Sequence, residues 1–241
     1  MKKKMIFTML AVTFMLVCSA QGTVLLQDDF STLSSSWVQV GKTGWTLNLG
    51  AVMSLDVIGG WSLGNNTTLT RSFSQATSGD WTVDVRYGWQ NGTGSVAARD
   101  AIRVFDAAGN GYGVYLEQSS RASSIALERY TGYAWSGSLG GAAKAADTGD
   151  VLTALRMTWV AATGVLNVYM GTPGGDFTTL SGTPIMTYTG GTTTSITQIQ
   201  LANVNEGGFQ SKFDDVLVTP EPATLALLGL GGLVSLRRRM R

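Results

Sequence analysis

Chemistry in this chain has to come from carboxylates, amides, hydroxyls, guanidinium groups and aromatic rings. Its 241 residues include no histidine and a single cysteine, Cys18. That inventory removes Ser-His-Asp and Cys-His catalysis and nearly all zinc, copper and non-haem iron sites. Seven tryptophans and seven tyrosines offer flat rings of the kind that stack on sugar faces. Trp45, Trp61 and Trp135 lie beside glycines in predicted loops, as does Tyr133, and these four are the candidates for an exposed glycan platform. Trp81, Trp89 and Trp159 share strand faces with aliphatic residues and are assigned to the core.

Carboxylates form the second group of candidates. Calcium is the metal that this composition permits, because it takes carboxylate and carbonyl oxygens without His or Cys. The acidic pairs Asp28-Asp29 and Asp214-Asp215 are one candidate set of ligands, and Asp106 with the Asn110 loop is another. Each has a plainer reading: charges that stop edge strands from pairing elsewhere, and an Asx turn at Asp106. Hydrolysis of a glycoside needs two carboxyl groups roughly 5 to 10 Å apart. The glutamates of the central body are Glu117, Glu128 and Glu206, no two of them within three residues. Glu117 and Glu128 could meet only across paired strands.

The elements that must position these groups read as strands. Trp81, Val83, Val85, Tyr87 and Trp89 alternate with Thr82, Asp84, Arg86, Gly88 and Gln90, a period of two with one apolar face. Leu155, Met157 and Trp159 repeat the pattern, and Ala161-Ala162-Thr163-Gly164 turns the chain into a strand from Val165 to Met170. Ala101 to Phe105 and Tyr112 to Leu116 flank a turn rich in residues that accept positive φ. Further strands are predicted at Val24 to Phe30, Thr46 to Leu55, Thr67 to Phe73, Ile125 to Tyr130, Ile185 to Thr189, Ile196 to Asn203 and Phe213 to Val218. About a dozen short strands without a long helical period predict an all-β, antiparallel sandwich of two sheets.

Charge separates this body from the two ends. The formal charge of the whole chain is +1, but Lys2, Lys3, Lys4, Arg237, Arg238, Arg239 and Arg241 hold seven of the positive charges. Residues 23–219 keep ten basic and fifteen acidic residues, so the body is at −5. Nucleic acid is thereby excluded as a partner, since phosphate neutralisation needs clustered Lys and Arg. At the N-terminus the three lysines, the apolar run from Met5 to Val17 and the small residues Cys18-Ser19-Ala20 have the layout of a secretion signal. Thirteen residues rise about 20 Å as a helix, short of the roughly 30 Å hydrocarbon core. Cleavage after Ala20 or Gly22 discards Cys18. Residues 1–22 are therefore assigned as a signal peptide.

The other end reads Pro220-Glu221-Pro222, then an uncharged stretch to Leu236 with Gly229, Gly231 and Gly232, then Arg237-Arg238-Arg239. Two prolines one residue apart forbid regular structure, and the glycines let another helix approach closely. Ala223 to Leu236 would form a helix about 21 Å long, a short transmembrane segment held by an arginine stop on the cytoplasmic side. Together these three parts resemble the PEP-CTERM sorting signal of Gram-negative bacteria. That resemblance implies an exosortase-type membrane enzyme as partner, transient anchoring in the inner membrane, export to the cell surface or extracellular matrix, and an association with exopolysaccharide.

The body carries a second resemblance. Asp28-Asp29-Phe30 with Trp37, the turn Gly109-Asn110-Gly111-Tyr112-Gly113 and the closing Phe213-Asp214-Asp215-Val216 are similar to concanavalin A-like, laminin G-type jelly rolls. In such folds the first and last strands are neighbours, which would bring the two acidic pairs together. The expected organisation is a signal peptide at 1–22, a concanavalin A-like jelly-roll sandwich at 23–219 and a PEP-CTERM sorting signal at 220–241. A noncatalytic glycan-binding role is expected for the sandwich; a glycoside hydrolase or lyase using Asp and Glu, and a purely structural matrix component, are the alternatives.

Overall fold

The computed structural model describes residues 24–40, 45–48, 51–54, 67–73, 77, 79–90, 98–118, 123–143, 151–193, 195–204 and 210–220. Among them the strands are β1 (Leu26–Asp28), β2 (Val38–Val40), β3 (Trp45–Asn48), β4 (Ala51–Ser54), β5 (Thr67–Ser72), β6 (Trp81–Gln90), β7 (Ala98–Phe105) and β8 (Gly111–Gln118). They continue as β9 (Ser123–Thr131), β10 (Ala134–Ala143), β11 (Thr153–Val160), β12 (Val165–Met170), β13 (Met186–Thr189), β14 (Gln198–Asn203) and β15 (Gln210–Pro220). A single 3-10 turn occupies Phe177–Thr179. Among the described residues no helix is long and apolar enough to cross a membrane; the predicted signal peptide and the apolar stretch 223–236 lie outside them.

Two antiparallel sheets form. One runs β13-β12-β11-β6-β15-β4-β3 with β1 also paired to β15, and the other runs β10-β9-β8-β7-β14-β5-β2. The expected pairing of first and last strands is present, with Leu26 opposite Val218 and Asp28 opposite Val216. The alternation in β6 places Trp81, Val83, Val85 and Tyr87 in the core, all essentially inaccessible. Across the interior, Ile102, Val104, Tyr112, Val114, Leu116, Ile125, Leu127, Ile199 and Leu201 supply the facing layer. At one end the two layers are bound by rings: Trp81 stacks on Trp159 at 6.4 Å, and Trp159 on Tyr112 at 5.8 Å.

Two predicted boundaries change. Thr46 to Leu55 is a hairpin of two strands, β3 and β4, with Leu47 opposite Val52; apolar residues on both sides of Gly50 conceal the reversal. Residues 134–143 form β10, which lacks a legible apolar face because it is built of Gly, Ser and Ala around Trp135 and Leu139. This edge strand carries two register shifts, between Trp135 and Gly137 and between Ser138 and Gly140. Such irregularities blunt an exposed edge against pairing with another chain.

A bulge in β15 explains the acidic pair. Asp214 lies opposite Arg86 but Leu217 opposite Asp84, so one extra residue is accommodated, and Asp215 takes φ +48. The insertion shifts the phase of the strand, so that Phe213 and then Val216 and Val218 all point into the core. Aspartate is among the few residues that tolerate this backbone region. Outside the core, Arg86 Nη1 lies 3.2 Å from Asp215 and 3.7 Å from Asp214. The neighbouring Asp84 is paired cross-strand with Arg156, which donates from Nε at 2.6 Å and from Nη2 at 2.8 Å.

Burial, reinforced by the charge of Asp215, pushes the Asp214 carboxyl up to about 6. A carboxylate raised above its unfolded value binds its proton more tightly when folded, so it penalises the fold at pH 7 and the penalty fades as pH falls from about 6 to 4. Asp214→Asn should therefore raise Tm at pH 7 by about 2–4 °C, equivalent to about 1 kcal/mol after screening is allowed for. The two proteins should melt together near pH 4, and a destabilised variant at pH 7 would contradict the assignment. Ring packing makes a second prediction. A Cβ at Gly191 would lie 2.5 Å from the Trp159 ring and 2.6 Å from the Tyr112 hydroxyl, whereas one at Gly182 meets nothing within 4 Å. Gly191→Ala should cost about 1–3 kcal/mol by overpacking, and Gly182→Ala about 0.5 kcal/mol or less; equal melting of the two variants would refute the packing account.

Candidate functional site

Period-two alternation assigns every residue of the seven-stranded sheet to a face, and two aromatic residues are out of phase with the core. In β7, Ile102 and Val104 point inward, so Phe105 points outward; in β9, Ile125 and Leu127 point inward, so Tyr130 points outward. Both are nevertheless buried, Phe105 at 1% and Tyr130 at 4% exposure. They bury each other, edge to face at 5.5 Å, and Phe105 also meets the ring of Tyr133 at 5.1 Å. A satellite aromatic cluster thus sits on the outer face of the sheet.

Strand register builds the rest of this face. Trp135 of β10 pairs with Tyr130, Tyr130 with Gly111, and Gly111 with Phe105. In the next row Glu128 pairs with Gly113, Gly113 with Arg103, Arg103 with Gln200, and Gln200 with Thr70. Glycine at 113 leaves the space that the neighbouring side chains take up: a Cβ there would come 2.9 Å from Tyr130 Cε2 and 3.0 Å from Arg103 Cγ. The Arg103 guanidinium carbon lies 5.2 Å from the centre of the Tyr130 ring.

Hydrogen bonds connect the row. Arg103 Nη1 donates to Gln200 Oε1 at 2.9 Å, and Gln200 Nε2 donates to Thr70 Oγ1 at 3.2 Å. On the other side Tyr130 donates its hydroxyl to one Glu128 oxygen, and Trp135 Nε1 donates to the other at 3.1 Å. Burial, ahead of the neighbouring Glu128, pushes the Tyr130 phenol well above its ordinary range. It therefore stays a donor at any physiological pH.

Of the four aromatic residues predicted to form a platform, two meet here. Tyr133 is 53% and Trp135 60% exposed, the two most prominent rings at the surface of the described residues. Tyr133 occupies the β9–β10 turn with φ +66, a costly conformation for a ring-bearing residue. Its N–H donates to the Gly109 carbonyl at 2.7 Å, and its ring fills the space where a Cβ of Gly109 would be. Trp45 is a correction. It lies on β3 at the edge of the other sheet, 5% exposed, with its ring 5.8 Å from Phe213, so it is a core residue. Adjacent glycine suggested a loop, but the side chain follows the apolar face of a hairpin. Trp61 lies outside the described residues. Trp81 and Trp159 are core as expected, whereas Trp89 is only half-buried.

The two acidic pairs face arginines and backbone donors. Among the described residues no group of three Asp or Glu side chains could hold a metal ion. Asp28 is committed to Arg71 at 2.8 Å, to Trp37 Nε1 at 2.8 Å and to the Phe30 N–H at 2.9 Å. Asp29 accepts from the Ser31 N–H, which lowers its carboxyl, and Asp214 and Asp215 face Arg86. Adjacent strands did bring the pairs near one another, but guanidinium groups take up the charge. An open depression of about 360 Å³ beside them is lined by Asp28, Asp29, Thr32, Ser34 and Arg71. Asp106 makes the plainer Asx turn, accepting from the N–H groups of Ala108 and Asn110 at 2.8 Å. Glu117 and Glu128 lie on one face of paired strands but oppose Ser124 and Gly113 respectively. Four positions along β8 separate the two pairings, about 13 Å along the backbone, so the two residues do not face each other directly.

The C-terminal residues 218–241 match the PEP-CTERM protein-sorting motif. The chain thus carries a signal for export and membrane-associated sorting by an exosortase-type enzyme. The match begins inside β15, where Val218, Thr219 and Pro220 are still paired with Val83, Thr82 and Trp81; Glu221, Pro222 and Arg237 to Arg239 lie outside the described residues. No curated protein matches the chain in sequence. In three dimensions the fold is a lectin-like jelly roll. A CBM2 module of the evolved Dit protein of Lactobacillus casei BL23 phage J-1 aligns at TM-score 0.62 and 10% identity, covering 83% of this chain and 96% of that one. A lectin from Bauhinia forficata, solved in complex with GalNAc, aligns at 0.55 and 10%, covering 82% and 98%. The carbohydrate binding module CBM66 from Bacillus subtilis aligns at 0.50 and 13%, covering 76% and 95%. At identities this low the likeness is one of fold alone.

Proposed function

We propose that this is an exported bacterial matrix or cell-surface protein whose jelly roll binds glycan without cleaving it. The observation that carries the proposal is the outer-face cluster, in which exposed Trp135 is hydrogen-bonded to Glu128 and exposed Tyr133 packs on buried Phe105, itself against buried Tyr130. Rings held by a stiff sheet lose little freedom on binding, and a polar acceptor beside them orients hydroxyls. The carbohydrate-binding modules and lectins that share the fold support the reading, and the commitment of both Glu128 oxygens to Tyr130 and Trp135 supports a noncatalytic role.

In this proposal residues 1–22 are the signal peptide, 23–219 the binding domain and 220–241 the sorting signal. Its apolar stretch is a short membrane helix that holds the protein transiently at the inner membrane. Pro220, Glu221 and Pro222 present the tail to the exosortase-type enzyme, and Arg237, Arg238 and Arg239 hold the terminus in the cytoplasm. Processing then delivers the domain to the cell surface or the exopolysaccharide around it.

Replacing Pro220, Glu221 and Pro222 together by alanine in the native host should leave translocation intact and block tail removal. The variant should stay in the membrane fraction at the higher mass, and an unchanged mature mass would contradict the sorting role. For binding, Trp135→Ala and Tyr133→Ala should each weaken retention on polysaccharide about five- to tenfold, the magnitude of one lost stacking contact. Wild-type retention in both variants would remove this face as the binding site.

A further inference from the structure

Building on the proposed glycan-binding role, we infer that the ligand of this face is a neutral, hydroxyl-rich glycan received by the Glu128 carboxylate, and that acidic polysaccharide is rejected there. Glu128 is half-buried and lies beside Trp135, one of the two exposed rings. One of its oxygens accepts from Tyr130 and the other from Trp135. Each carboxylate oxygen has two acceptor directions, so one remains on each for a ligand. Adjacent hydroxyls on a pyranose ring match that pair of acceptors, while the ring face lies against Trp135 or Tyr133.

Charge on the face decides between neutral and acidic sugars. Among the described residues no cation lies within ion-pair distance of Glu128. Arg103 is the nearest basic residue of the same row, and it is spent: it is 9% exposed, bonded to Gln200 and set over the Tyr130 ring. Its Nε is fully buried and offers no donor to a ligand, although the guanidinium charge still acts on the Tyr130 hydroxyl. Arg129 alternates to the other side of β9, where it lines a depression with Asp106, Tyr130 and Thr193. Among the described residues of this row, the carboxylate is the ionised group that a ligand would touch directly. A uronate or sulfate group placed beside it meets like charge at contact, within a body already at −5.

Native gels cast with defined polysaccharides, run with the full chain in mild non-ionic detergent, separate the possibilities. Laminarin, lichenan, dextran, pullulan and galactomannan are the neutral probes; alginate and polygalacturonate are the acidic ones. Retardation by at least one neutral polymer is expected, reduced about tenfold in association constant by Trp135→Ala and by the conservative Glu128→Gln. Both substitutions are at solvent-facing strand positions, and an unchanged Tm confirms that each variant is folded. Retardation by alginate or polygalacturonate that Trp135→Ala abolishes would overturn the inference while leaving glycan binding at this face intact. Absence of any Trp135-dependent retardation, on neutral and acidic probes alike, would overturn the binding role itself.

Discussion

Tyr130 lies across the outer face of a sheet whose inner face is already full, and position 113 makes this possible by having no side chain. With a Cβ there, the Tyr130 ring and the stem of Arg103 would both have to move. The position of Tyr130 then settles its neighbours. Its hydroxyl holds one oxygen of Glu128 while Trp135 holds the other, its ring carries the Arg103 guanidinium, and its edge packs on Phe105, which in turn supports Tyr133. Remove this contact and the two exposed rings lose the layer beneath them.

The sandwich provides stiffness for that surface by ordinary means. Alternating aliphatic residues close the interior, and the Trp81, Trp159 and Tyr112 stack ties the sheets at one end. The same end receives the last residues of β15, since Pro220 pairs with Trp81. Tyr112 belongs to the strand that runs beside β9, with Gly111 opposite Tyr130. The last described residues of β15 and the aromatic cluster consequently belong to one end of the domain. The bulge at Asp215 lets β15 serve both the core and this exit, because the phase shift keeps Val216 and Val218 inside after Phe213.

How legible this was depends on the element. Strands with β-branched and aromatic residues at every second position, such as β6, β11 and β12, could be read directly, because only one of their faces is apolar. The strand β10 could not, since glycine and serine carry no face. Trp135 was therefore picked out for its neighbouring glycines and assigned to a loop, although it stands on a strand. The same reasoning misplaced Trp45, where adjacent Gly44 disguised a strand of the core. Tyr130 and Arg103 were not singled out at all, and Glu128 only as one half of a carboxylate pair. Their signal was present in the phase of the pattern: Phe105 and Tyr130 are aromatic at positions where the alternation of their own strands requires a solvent-facing residue. Two such residues on neighbouring strands require something to cover them, and on this surface they cover each other. The acidic pairs erred in the opposite direction, because strand pairing was foreseeable whereas the arginines that neutralise them come from distant β5 and β6.

The central claim is that the outer face of the seven-stranded sheet is where sugar binds. A crystal structure of the protein with a bound neutral glucan oligosaccharide tests it most directly. The account predicts a pyranose ring stacked on Trp135 or Tyr133, with adjacent hydroxyls donating to the two free acceptor directions of Glu128. Sugar bound elsewhere, such as in the depression beside Asp29 and Arg71, with the Glu128 face left bare, would contradict it.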